Sequence, residues 1–102
     1  MKITVMCGAG AMSTFVAHRL RRACDSAGRD DLVGVSTLKA GVLPGTDLLL
    51  LGNHVPKNAE AVLEAQEAGI AVVRLPANIA SDIDGHRTLE LVHQATTGPP
   101  SN

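Results

Sequence analysis

Aromatic residues are almost missing from this sequence: Phe15 stands alone, with no tryptophan or tyrosine in 102 residues. That removes the stacking platform on which single-strand nucleic-acid binders lay bases. It also obliges the core to be built from Leu, Val, Ile and Ala. An excess of one charge is missing too. Nine basic residues stand against ten acidic ones, a formal net charge of −1. No global field therefore points to nucleic acid or to an anionic membrane. Cysteine is scarce, and Cys7 and Cys24 make no disulfide framework. They fall at opposite ends of a predicted helix of about four turns, beyond disulfide reach. No apolar run approaches the roughly 20 residues of a membrane span. The N-terminus enters a strand without the basic region, apolar run and cleavage site of a signal peptide. A reduced cytoplasm is the expected compartment. His18, His86 and His93 fall on or near helices, in no metal-ligand spacing with Cys7 or Cys24, and no metal is expected.

What is present is 45% hydrophobic residues in a length suited to one core. Residues 1–96 read as a single domain, and residues 97–102, with Gly98-Pro99-Pro100, as a flexible tail. Lys2 to Met6 reads as a short β-branched strand. Phe15 to Ala27 follows as an amphipathic helix, with Ser13 or Thr14 as its cap and Gly28 as its stop. Leu32 to Leu38 reads as a second strand, and Lys39 to Leu43 as one helical turn before the Pro44-Gly45 turn. Asp47 to Leu51, with four consecutive leucines, suits a central strand covered on both faces. Lys57 to Ala68 reads as a helix, Ile70 to Leu75 as a fourth strand, and a last helix begins at Asp84 or Gly85. Strands alternating with helices argue for a parallel α/β sheet with right-handed crossovers. Ligands of such sheets bind beyond the carboxyl ends of the strands. That edge gathers the Cys7 loop, the Asn53-His54 loop and the loop from Pro76 to Asp82.

The chemistry concentrates in Cys7-Gly8-Ala9-Gly10-Ala11-Met12-Ser13-Thr14, between the first strand and the first helix. Unpaired N–H groups and the helix dipole make such a junction an anion site. A cysteine at its lip is easier to ionise, and the thiolate is the nucleophile. The bland alternative is a small buried hydrophobe in an ordinary tight turn. Gly8-x-Gly10-x-x-Ser13 approaches a dinucleotide fingerprint but ends in Ser, in a domain small for a dinucleotide. A P-loop is excluded because no Gly-Lys-Ser/Thr occurs. Cysteine phosphatases place an arginine six residues after the cysteine, where Ser13 stands here. A bidentate arginine suits hydrolysis through a highly charged transition state. Without it, a loop of backbone donors and hydroxyls fits holding a phosphoryl group for another acceptor. Cys24, on the apolar helix face, reads as core. His54 reads as a phosphate or partner contact, or as a solvated loop histidine. Arg19, Arg21 and Arg22 read as a docking surface for an acidic partner or as a solvated face. Asp82 and Asp84 read as helix capping.

The loop resembles the phosphocysteine loop of the IIB components of the bacterial sugar phosphotransferase system (PTS), nearest the lactose/cellobiose type. Thr46-Asp47-Leu48-Leu49-Leu50-Leu51-Gly52 resembles that family's third strand and following glycine, and Ile83-Asp84-Gly85 the segment before its last helix. The resemblance implies a four-stranded parallel sheet in order 2-1-3-4, with helices on both faces and a phosphate loop after strand 1. It implies that Cys7 accepts a phosphoryl group from phosphohistidine on a IIA partner and passes it to a sugar bound by the membrane component IIC. Gly8, Ala9, Gly10, Ala11, Met12, Ser13 and Thr14 become the phosphate cradle, and Asn53 and His54 edge contacts. No cofactor is implied beyond a transient phosphocysteine. A monomeric cytoplasmic phosphotransferase that docks on the membrane component is expected, without nucleic-acid partners. The chain departs from the pattern in several places. Ala11 lengthens the loop by one residue, Asn53-His54 replaces Pro-Gln, and Ala80-Ser81 stands near an expected tyrosine. Galactitol-type IIB proteins, with longer Gly-rich cysteine loops, are the alternative subfamily. Rival readings are a relative of low-molecular-weight phosphatases or arsenate reductases, and a non-catalytic regulatory domain with the same fold.

Overall fold

The computed structural model describes residues 1–7, 11–52, 55–56, 58–76, 78–79 and 85–97. The elements, in chain order, are β1 (Lys2–Cys7), α1 (Ala11–Ser26), β2 (Leu32–Thr37), β3 (Leu48–Leu51), α2 (Glu60–Glu67), β4 (Ala71–Arg74) and α3 (His86–Thr97). The strands form one parallel sheet in order β2-β1-β3-β4, as the resemblance implies.

Two-residue alternation along the central strands sorts the core into two layers. Ile3 and Val5 of β1, with Leu48 and Leu50 of β3, face a layer filled by Val16, Ala17, Leu20 and Cys24 of α1 and Val92 of α3. Met6, Leu49 and Leu51 face the other way, against Ala61, Val62 and Ala65 of α2. All four leucines of β3 are buried, because this strand has neighbours on both sides and helices on both faces. Ile3 pairs with Val33 and Leu48, and Val5 with Val35 and Leu50. The edge strands are less covered, and Leu32 of β2 and Ala71 of β4 are exposed.

Polar groups lock the register. Asp47 accepts the Lys2 N–H on its carboxylate, and its own N–H donates to the Lys2 carbonyl, each at 2.8 Å. Thr4, buried within the sheet, donates to the Thr46 hydroxyl at 2.6 Å, which donates in turn to the Leu43 carbonyl at 2.6 Å. Arg21 leaves the surface of α1 to place Nε and Nη2 on the Val33 carbonyl, at 2.9 and 2.6 Å.

Several boundaries differ from the sequence reading. Helix α1 starts at Ala11 rather than Phe15, so Ser13 and Thr14 fall inside its first turn rather than ahead of it. Gly28 does end it, with φ +70° and the Arg29 N–H on the Cys24 carbonyl at 2.9 Å. Strand β2 stops at Thr37, and the expected helical turn is a tight one closed by Gly41 N–H on the Thr37 carbonyl at 3.0 Å. Helix α2 begins at Glu60 rather than Lys57, after Ala59, which gives no side-chain cap. Glu60 complements the helix dipole instead. Helix α3 runs to Thr97, and residues 98–102 of the expected tail lie outside the described residues.

Candidate active site

The sheet orders its strand ends before any side chain is considered. Cys7 is the last residue of β1, in register with Thr37 at the end of β2. On the other flank, Met6 pairs with Leu51, and Leu51 with Arg74 of β4. The ladder continues one step further: the Gly52 N–H donates to the Met6 carbonyl at 2.8 Å and the Leu75 N–H to the Leu51 carbonyl at 2.7 Å. Cys7 thus ends an interior strand, on the carboxyl edge, with a paired strand on each side.

Three residues separate Cys7 from Ala11, the first residue of α1. Ala11, Met12, Ser13 and Thr14 are therefore the first turn of a 16-residue helix. The N–H groups of a first turn lack intrahelical acceptors and carry the positive end of the dipole. No acidic side chain occupies that turn. Gly8, Ala9 and Gly10 of the expected cradle, and the expected edge contacts Asn53 and His54, lie outside the described residues.

The flanks of the edge are held by hydrogen bonds. Thr37 accepts the Ala40 N–H on its hydroxyl at 3.1 Å. Across the sheet, the Gly52 carbonyl accepts both the Val55 N–H at 3.1 Å and Arg74 Nη1 at 3.2 Å. Arg74 escaped the sequence reading. Its signal was a lone cation at the end of an otherwise apolar strand, directly before Leu75-Pro76.

The sequence matches no protein-family model and no curated protein. Among solved structures, the chain is similar to the lactose-specific IIB component domain of the phosphoenolpyruvate:carbohydrate phosphotransferase system from Streptococcus pneumoniae. The TM-score is 0.75 at 16% identity, covering 93% of this chain and 96% of that one. It is also similar to the cellobiose-specific phosphotransferase IIB component of Borrelia burgdorferi, with a TM-score of 0.67 at 21% identity over 93% and 90% of the two chains. The fold is that of the IIB components.

Within this IIB fold the two cysteines have different settings. Cys24 is buried in the layer beneath α1, and its thiol faces the Asp31 carboxylate at 3.7 Å. Burial first, and then the Asp31 charge, push the thiol up. It therefore stays protonated and is a poor nucleophile, as its apolar position in the sequence suggested. Asp31 is held below the usual carboxylate range, chiefly by its hydrogen bond from Arg29. Arg19 sits about two turns into α1. Its guanidinium sits 5.9 Å from the centre of the Phe15 ring. Among the described residues no cluster of His, Cys, Asp or Glu is arranged to hold a metal ion, and no helix is long and apolar enough to cross a membrane. A groove of about 420 Å³ opens between Ala27, Arg29, His86, Leu89, Glu90 and His93, around the C-terminal end of α1 rather than at Cys7.

Proposed function

We propose that this chain is a sugar-specific IIB phosphocarrier, which takes a phosphoryl group from phosphohistidine on a IIA protein and delivers it to a sugar held by the membrane component IIC. The observation that carries the reading is the placement of Cys7. It stands at the carboxyl end of an interior strand, three residues before the N-terminus of α1, on a fold shared with IIB components.

The chemistry is a pair of in-line displacements. The Cys7 thiolate attacks phosphorus, the S–P bond forms as the N–P bond breaks, and the departing imidazole takes the electron pair and a proton. A sugar hydroxyl then attacks the phosphocysteine. The S–P bond breaks, the thiolate leaves with its electron pair, and the hydroxyl proton passes to the acceptor side. Backbone N–H groups of Gly8, Ala9, Gly10, Ala11 and Met12 hold the equatorial oxygens, and the hydroxyls of Ser13 and Thr14 supply further donors. No cofactor takes part beyond the transient phosphocysteine. The carrier works as a cytoplasmic monomer that docks on its membrane component.

Intact-mass measurement after incubation with phosphoenolpyruvate, the general phosphotransfer proteins and a IIA protein from the same organism tests this. Wild type is expected to gain one phosphoryl group that sugar and membranes discharge. Cys7→Ser is expected to gain none, and Cys24→Ser to behave as wild type. A folded Cys24→Ser protein that loses transfer as completely as Cys7→Ser overturns the assignment. Steady hydrolysis of an aryl phosphate would instead select the phosphatase reading.

A further inference from the structure

Helix α1 has two faces with opposite duties. Val16, Ala17, Leu20, Ala23 and Cys24 are buried. The opposite face carries Phe15, His18, Arg19 and Arg22, spaced three and four apart so that they form one stripe. Phe15 is the chain's single aromatic, yet it is 60% exposed. Arg21, expected to belong with Arg19 and Arg22, is withdrawn by its bonds to the Val33 carbonyl.

Charge is distributed with the same asymmetry. Helix α1 sets Arg19, Arg21 and Arg22 against Asp25, a net +2 in a chain of net −1, so the remaining residues carry −3. Helix α2, on the other face of the sheet, carries Glu60, Glu64 and Glu67 and no base. Phe15 lies about one turn from the first residue of α1, and Arg19 and Arg22 about two and three turns in.

We infer that the Phe15, His18, Arg19 and Arg22 stripe is the docking surface for the phosphohistidine donor, which presents an apolar socket for Phe15 rimmed by carboxylates; this rests on the function proposed above. An exposed ring anchored by a cation is the kind of group that dominates binding energy when a partner buries it. Cations around it steer an acidic partner and fix its register. An anionic membrane suits the stripe less well. Insertion into lipid needs a broad apolar face, and the broad apolar face of α1 is already in the core.

The test compares transfer from the phosphorylated IIA protein of the same organism to wild type, Phe15→Ala, Arg22→Glu and Leu63→Ala. Leu63 is a 45% exposed residue of α2 and serves as the control. Phe15→Ala is expected to lower kcat/KM about tenfold or more, the effect of losing an interface anchor. Arg22→Glu is expected to lower it about tenfold at low salt and less at high salt, where charges about 10 Å apart are screened. Leu63→Ala should be unchanged. In the three variants the rate of Cys7 alkylation by iodoacetamide and the melting temperature should match wild type, which separates docking from a disturbed site. Unaltered transfer in both α1 variants overturns the inference while leaving the carrier function standing. Retention of wild type on phosphatidylserine vesicles, lost in Arg22→Glu, overturns it in favour of a lipid surface. A wild type that accepts no phosphoryl group from a charged donor overturns the carrier function and the docking proposal together.

Discussion

At the scale of single residues, the two cysteines show how position decides chemistry. Cys7 ends a strand at the carboxyl edge, whereas Cys24 is 1% exposed and faces Asp31. Native protein at pH 7.5 is therefore expected to take one iodoacetamide adduct quickly, on Cys7, and to take a second only on unfolding. Peptide mapping of the alkylated protein checks this. Asp31 itself joins Arg29 and the N-terminal ammonium of Met1, the latter at 3.7 Å. Its pKa is lower folded than unfolded. Its contribution is therefore present above the unfolded value of about 3.9 and is lost as pH falls through the folded value. Asp31→Asn is expected to cost about 1 kcal/mol at pH 7, the scale of a charge-assisted bond at a partly open site. The gap to wild type should close in acid, and urea melts at pH 7 and pH 3 measure both.

Elements were legible where one physical rule acted alone. Leu48 to Leu51 reads as a covered strand because an unbroken apolar run fits little else in a short α/β chain, and the structure buries all four. The start of α1 was misread because Ser13 and Thr14 have the chemistry of caps. The helix takes in Ala11 and Met12 ahead of them, residues with good intrinsic propensity. The site was legible to the extent that a cysteine at a strand end, before glycines, is visible in one dimension. The links from Thr4 to Thr46 and from Arg74 to Gly52 were not. They join residues far apart in sequence, and only the assembled sheet brings them together. Gly85 makes a similar point between helices. Its φ is +76°, and a Cβ there would stand 2.3 Å from the Arg19 carbonyl oxygen of α1. Gly85→Ala is expected to cost about 3 kcal/mol through backbone strain and separation of α1 from α3. Thermal unfolding checks it, at about 4–8 °C per kcal/mol for a domain near this size.

For the molecule as a whole, stability resides in the middle of the sheet. Leu50 is fully buried in the layer shared by α1 and α3, so Leu50→Ala is expected to cost about 2–5 kcal/mol. Leu32→Ala, at an exposed edge position, should cost well under about 1 kcal/mol. Hydrogen exchange is expected to be slowest at Val5 and Leu50, which sit in strands with neighbours on both sides, and faster along β2 and β4. Equilibrium urea melts and native-state exchange measure the two effects independently.

The strand that ends in Cys7 is made first but completed late. Ile3 finds its partners at Val33 and Leu48, so β1 waits for most of the first half of the chain before both its edges are closed. Contacts so distant in sequence slow folding, because loop entropy is spent before pairing returns it. During synthesis, an interrupted chain that stops short of Leu48 has the cysteine but not the sheet that holds it in place. The sheet edge at which Cys7 stands is thus incomplete until the third strand arrives.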